Sequence, residues 1–225
     1  MIYFREISEK KSNKLVANKN SIIRLSRYKN ALTRLKAMGF VKVFSDNLAD
    51  AVEVTPSQVR KDFSLFGILG NKRGGYKVDE LIEKLNSILG KNELQNVVIV
   101  GAGHMGTALM RYKGFEKEGI RIAACFDTDE NKLDRNAKIP VLPISEMQEF
   151  IKKKKIRLGI IAVPDHAAQE VLDKLLEAGI KGILNFAPIK LNGPEEVVIN
   201  NVNIELELEN VIYFVNVKDK AKVKV

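Results

Sequence analysis

The sequence predicts an α/β protein in which a small helical domain precedes a doubly wound parallel sheet. Three observations carry that expectation. First, the apolar run Val97-Val-Ile-Val100 meets Gly101, Gly103 and Gly106, and Thr107-Ala-Leu-Met110 follows as a helix opening. A continuous β-branched run is the mark of a strand buried on both faces. Second, strand-like and helix-like segments alternate from residue 97 onward, the pattern of a mainly parallel sheet. Third, charge is partitioned. Residues 1–92 hold 18 Lys+Arg against 9 Asp+Glu, whereas 93–225 hold 19 of each, so the whole excess of +9 lies in the first part. Such asymmetry points to one part that meets a polyanion and another that does not.

With 225 residues and 45% apolar content there is room for two globular domains. No run of 18 or more apolar residues is present, so no spanning helix is expected. The start, Met1-Ile-Tyr-Phe-Arg-Glu-Ile-Ser-Glu-Lys-Lys11, carries acids and lacks an apolar signal core, which predicts a cytoplasmic protein. The single cysteine, Cys125, agrees with a reducing compartment and reads as a buried strand residue.

The expected boundaries are a basic arm over 1–20, a helical domain over 21–92, a sheet domain over 93–212 and a C-terminal segment over 213–225. From Ser21 the residues Ile22, Ile23, Leu25, Tyr28, Leu32, Leu35 and Met38 recur at helical spacing up to Gly39. Phe40–Phe44 is a short strand or connector. Ser45 is expected to cap a second helix, and Thr55, with Pro56 in the first turn, a third. Two short helices split at Glu53-Val54 make a helix-turn-helix. On the third helix Val59, Phe63 and Phe66 share an apolar face, leaving Ser57, Gln58, Arg60 and Lys61 exposed near its start. These residue types read base edges and hold phosphates. Gly67–Tyr76 reads as a hairpin wing whose basic tip, Lys72 and Arg73, suits a narrow minor groove. The expected DNA contacts are Ser45, Ser57, Gln58, Arg60, Lys61, Lys72, Arg73 and Tyr76. Val78–Leu89 is a helix and 90–95 a linker.

In the second domain G-x-G-x-x-G gives a tight turn, a close approach to a pyrophosphate and close helix–strand packing. The phosphates then meet the positive end of the helix. The second strand, Ile120–Phe126, runs into Asp127, 21 positions after Gly106. A carboxylate there accepts from the adenosine ribose hydroxyls and repels a 2′-phosphate, favouring NAD+/NADH in a Rossmann domain. Later segments read as a helix opened by Ser145 and ending in the solvated run Lys152–Lys155, a strand over Ile156–Pro164, and a helix from Asp165 stopped by Gly179. A strand over Gly182–Pro188 follows, with strand-like runs at Val197–Leu208 and Val211–Val217. Ligands lie at the carboxyl ends of such strands. The expected cofactor residues are therefore Gly101, Ala102, Gly103, His104, Met105, Gly106, Asp127, Val163, Pro164, Asn185, Phe186, Ala187 and Pro188. A dehydrogenase needs an acid/base at that edge. His166 is the one candidate, since His104 sits in the glycine loop, and a surface or helix-start role suits His166 better. No metal-ligand spacing is present. An NAD-dependent oxidoreductase and a nucleotide- or CoA-binding module are the alternatives to a DNA-binding sensor.

Taken together, Val59-Arg-Lys-Asp-Phe-Ser-Leu-Phe-Gly67, Arg73-Gly-Gly-Tyr76, Val100–Gly106, Tyr112-Lys-Gly-Phe115, Phe126-Asp-Thr-Asp129, Ala167-Ala-Gln169 and Ala178–Pro188 are specific. Over about residues 21–217 the sequence resembles the Rex family of redox-sensing transcriptional repressors. The resemblance implies a winged-helix domain, a Rossmann domain and a homodimer with a C-terminal helix exchanged between subunits. It implies no catalysis, but binding to a palindromic operator when free or NAD+-bound, and release by NADH. It also adds Tyr112 to the cofactor side. Family members often pair an arginine of the first helix with an aspartate near the last strand and a tyrosine of the partner. Those positions here are Asn30, Asn203 and Tyr112, two neutral amides replacing the charged pair.

Overall fold

The computed structural model describes residues 19–70 and 74–222 and divides into two compact units between Leu94 and Gln95. Most of the basic arm, and the wing tip with Lys72 and Arg73, lie outside the described residues.

In the first unit α1 (Lys19–Ala37) buries Leu25, Tyr28 and Leu32 on one stripe. A connector carrying β1 (Lys42–Val43) leads to α2 (Ser45–Val52) and α3 (Pro56–Leu65). The cap of α2 is Phe44 rather than the expected Ser45. Its backbone N–H donates to Asn47 Oδ1 at 2.8 Å, so a side chain reaching back from the first turn satisfies the helix start. For α3 the expectation holds: Thr55 Oγ1 accepts from Gln58 N at 3.2 Å, with Pro56 in the first turn. The turn between the helices puts Glu53 in the left-handed region, φ 58°. β2 (Tyr76–Lys77) pairs antiparallel with β1, so the described return arm of the wing is held by the connector. It leads into α4 (Val78–Ile88). One core joins Leu25, Tyr28, Leu32, Val43, Leu48, Val59, Phe63, Leu81 and Leu85.

The second unit is a six-stranded, all-parallel sheet. Its strands are β3 (Gln95–Val100), β4 (Ile120–Asp127), β5 (Val141–Pro143), β6 (Leu158–Ile161), β7 (Gly182–Asn185) and β8 (Val198–Asn201). Their order is β5-β4-β3-β6-β7-β8, the doubly wound arrangement whose connections reverse direction beside β3. Crossover helices are α5 (His104–Arg111), the single turn α6 (Gly114–Lys117), α7 (Met147–Lys154) and α8 (Asp165–Glu177). Successive residues of β3 face opposite layers. Val98 and Val100 meet Met147, Ile151 and Leu172, while Val97 and Ile99 pack on the side of Leu109, Met110 and Phe115. Ser145 does not cap α7: a 3₁₀ turn over Ile144–Glu146 contains it and runs into the helix.

The end of the chain corrects the strand-like reading of 197–208 and 211–217. β8 stops at Asn201, and α9 (Ile204–Lys222) follows as a 19-residue helix that runs unbroken across the boundary expected at 212/213. Ile204-Glu-Leu-Glu-Leu-Glu209 alternates with period two, which disguises a helix as a strand. Two features decide for the helix. Asn203 Oδ1 accepts from Leu206 N at 3.0 Å as an N-cap, and the acids of the first turn sit at the positive end of the helix dipole. Every residue from Asn203 to Lys220 is exposed, including Leu206, Ile212, Tyr213 and Phe214.

Candidate functional site

Each unit carries one candidate site. In the second unit the glycine loop leaves the carboxyl end of β3 beside β6, where the sheet order reverses. Gly101 has φ 102°, and a Cβ there would run into the carbonyl of Ala162. A Cβ on Gly106 would run into the carbonyl oxygen of Gly101, which is the close helix–strand packing its spacing predicts. Around Gly103 there is open space, the room that a phosphate needs over the loop. Its neighbours His104 and Met105 are exposed.

Asp127, 8% exposed, closes β4 and fastens this loop. Its Oδ2 accepts from Ala102 N at 2.6 Å and its Oδ1 from Asp129 N at 2.8 Å. Lys132 Nζ stands 3.5 Å from the same carboxylate and 3.6 Å from Asp129. A carboxylate has about four acceptor positions, so Asp127 keeps acceptor capacity beyond these two backbone bonds. Its hold on the loop and the cation beside it went unread, because both depend on folding 127 back onto 102 and 132.

The far edge is shaped by Asn185. This residue is wholly buried, and its amide bonds the carbonyls of Ala187 and Ile189, the N–H of Ala187 and Asn201 Oδ1. Its own amide thus builds the turn that presents Phe186 and Pro188. Phe186 N donates to Ile161 O at 2.9 Å, drawing that turn to the end of β6, where Val163 lies against Gly101 and Pro164 is exposed. The fold gathers the glycine loop, Asp127, Val163, Pro164 and the 185–188 turn at one sheet edge. Within one chain Tyr112 lies apart from that edge. That residue ends the eight-residue α5, about 12 Å along the helix from the loop, and is exposed against Phe115 and Gly114. His166 stands in solvent at the start of α8, Nδ1 3.5 Å from Asp165. Burial, with Asp127 adding to it, pushes the Cys125 thiol up to about 12, so it stays protonated and inert. Among the described residues no group of three His, Cys, Asp or Glu is placed to hold a metal, and no helix is long and apolar enough to cross a membrane.

In the first unit α3 presents Ser57, Arg60 and Lys61 to solvent, with Gln58 half-buried beside them. Ser57 Oγ is 2.8 Å from Thr55 Oγ1. Ser45 is half-buried at the start of α2, and the Tyr76 ring packs edge-on against Phe63 at 5.2 Å, bracing α3 from behind. The unforeseen residue is Asp62, 2% exposed on the apolar face of α3. Arg24 grips it with Nε at 2.6 Å and Nη2 at 2.7 Å, and the Tyr28 hydroxyl donates at 2.9 Å. Burial alone would raise the Asp62 carboxyl, but the hydrogen bonds from Arg24, Tyr28 and Gln58 outweigh it and hold the group below its ordinary range. A carboxylate one residue before Phe63, on the stripe of Val59, was the readable signal of a buried partner.

Residues 19–64 match the family model described as a putative DNA-binding protein N-terminus, and residues 92–189 the one described as a CoA binding domain. A redox-sensing transcriptional repressor Rex of Desulforamulus reducens is 41% identical over 201 residues, covering 89% of this chain and 96% of its own length. The Rex of Pelotomaculum thermopropionicum is 44% identical over 190 residues, 84% of this chain and 89% of that protein. The chain belongs to the Rex family. Among solved structures, RSP with β-NAD+ and operator DNA superposes with a TM-score of 0.86 at 35% identity, covering 93% of this chain and 97% of that one. RSP with β-NADH gives 0.82 at 34% identity, covering 94% and 100%. The winged-helix and Rossmann assignments agree with the Rex-family architecture, and curated relatives of this family are named as repressors, not as enzymes.

Proposed function

We propose that the protein is a homodimeric transcriptional repressor that senses the NADH/NAD+ ratio, binding a palindromic operator when free or NAD+-bound and leaving it when NADH binds. The observation that carries this reading is the likeness, over both units, to a Rex-family repressor seen with NADH and with NAD+ plus operator DNA. The chemistry of the chain supports it. One unit exposes Arg60 and Lys61 beside Gln58 on a capped helix, and the other holds open space above Gly103 with the Asp127 carboxylate at the end of the neighbouring strand. The glycine loop, Asp127, Val163 and the 186–188 turn would hold the dinucleotide. Ser57, Gln58, Arg60 and Lys61 would meet DNA, with Lys72 and Arg73 at the wing. Such a protein works where the chromosome is, in the cytoplasm, and performs no catalysis: a solvent-exposed His166 beside Asp165 is poorly set to move a proton at the nicotinamide.

The dimer is supported by α9. Its large apolar side chains between Ile204 and Lys220 are all exposed, a surface that a monomer in water rarely shows. A second copy would cover it. Asn203 spends one acceptor position of its oxygen on the cap of α9, so its amide N–H groups and the second acceptor position would remain to meet Asn30 across the dimer. That contact would be neutral and insensitive to salt.

The switch follows from linkage. NADH must bind the DNA-incompetent arrangement more tightly, and it shifts the equilibrium by that differential alone. The test is fluorescence anisotropy on a duplex selected by the protein from a randomised library, titrated with NADH and separately with NAD+. Release by NADH at concentrations where NAD+ leaves the complex intact is the expected outcome. Equal responses would sink redox sensing, and turnover that His166→Ala abolishes would favour an oxidoreductase.

A further inference from the structure

Gln58 stands half-buried on the shoulder of α3, and one helical turn on, Asp62 lies beneath it. The Gln58 carboxamide nitrogen donates to Asp62 Oδ1 at 2.9 Å. The same carboxylate receives Arg24 Nη2 on Oδ1, and Arg24 Nε and the Tyr28 hydroxyl on Oδ2. Four donors therefore fill about four acceptor positions, and the carboxylate is itself immobilised against α1. An ionised carboxylate only accepts, so it fixes which end of the Gln58 amide faces inward. A glutamine in solvent turns its amide freely; this one would lose a charge-assisted hydrogen bond by flipping.

We infer that Asp62 is a specificity-positioning residue: it sets the orientation in which Gln58 offers its amide to a base edge. The inference rests on the reading of α3 as the DNA-recognition helix. With one N–H spent on Asp62, Gln58 keeps its Oε1 and one N–H. That acceptor–donor pair matches the N6 amine and N7 of adenine in the major groove. The tether also removes rotamer freedom before binding, so less is lost when the contact forms. Arg24 and Tyr28 act one step further back, holding Asp62.

The test is a binding selection from a randomised duplex library, run with the full-length wild type and variants, reading the preference at each base pair. Gln58→Met is expected to flatten the preference at one base pair of each half-site by about tenfold. Asp62→Asn is expected to weaken the same base pair by about threefold or more, and to add nothing in the Gln58→Met background. Because Asp62→Asn leaves Arg24 badly paired, a second variant guards against misfolding. Arg24→Met/Tyr28→Phe/Asp62→Leu replaces the buried net with apolar groups of similar volume, a change that stable folds commonly absorb. It is expected to give the same localised loss. A wild-type profile with no sequence preference would overturn the DNA-reading function and this role with it. A wild-type preference that Gln58→Met leaves intact overturns the positioning role alone. So does a loss in either tether variant that is spread evenly over all base pairs or adds fully to Gln58→Met.

Discussion

Both units fasten their working parts with a buried aspartate, but the two fastenings are of different material. Asp62 holds α3 through side chains: a two-pronged arginine, a phenol and an amide, all from residues that could be exchanged singly. Asp127 holds the glycine loop through the backbone N–H of Ala102 and is steadied by that of Asp129, donors that every residue but proline supplies, with Lys132 Nζ farther off at 3.5 Å. The first site therefore depends on charge and on four particular side chains. The second depends on the course of the chain, and its weak points are the glycines that allow that course.

The largest break is expected at Asp62. Asp62→Ala leaves the Arg24 guanidinium and the Tyr28 hydroxyl without their partner in a core whose carboxylate is 2% exposed. Removing one member of a buried pair costs about 3 kcal/mol or more. Urea unfolding of the helical unit should show that loss, while NADH affinity stays at the wild-type value. The same pair carries an acid dependence. The folded carboxyl titrates below its ordinary value of 3.8, so its contribution is complete above that value and is lost as pH falls through it toward the folded one. Asp62→Ala should therefore flatten the acid-unfolding curve below pH 3.8 as well as lower it. An unchanged acid limb would mean that other carboxylates govern acid unfolding.

The matching break in the second unit is Gly106→Ala. A single methyl must displace the carbonyl of Gly101, which is backbone and cannot swing away. Overpacking of this kind costs about 1–3 kcal/mol. The loop can relieve it only by moving the atoms that would cradle the phosphates. NADH titration should show a loss of about tenfold or more in affinity, with binding of the variant to duplex DNA retained. Retained NADH affinity would show that the ligand does not need this loop geometry. Together the two variants separate the sites: each should cripple its own unit's function and spare the other's ligand.

How much of this was legible follows the same division of material. The glycine loop could be read because its constraints are local: the 101–106 spacing fixes the turn, and Asp127 lies at a set distance along the next strand. The capped start of α3 was local too. The place of Asp62 on the Val59 stripe signals burial, but its partner could not be named, because that is Arg24, 38 residues earlier and on another helix. Asn185 reads as a ligand contact at a strand end, yet packing makes it the bracket of its own turn. The helix α9 was mistaken for strands because alternating Glu and apolar residues satisfy a period of two, and no burial on either face arbitrated. Its cap, Asn203, was already in view as a replaced charge, and its second role as a helix start was the missed clue.

The smallest effect is expected where each unit bends its backbone into the left-handed region without a glycine. Glu53, φ 58°, ends α2 inside the helix-turn-helix, and Lys155, φ 52°, ends α7 in the sheet unit. In each a Cβ crowds the following carbonyl, at a cost of about 1 kcal/mol that glycine does not incur. Glycine also gives the unfolded chain more freedom, which returns part of that gain. Glu53→Gly and Lys155→Gly should each stabilise by about 0.5 kcal/mol. Amide exchange should slow in α2 and α3 for the first and around α7 for the second. Slower exchange in the wrong unit would break the picture of two separately fastened sites. A loss of stability at Glu53 would mean that its side chain holds a contact worth more than the strain of the turn.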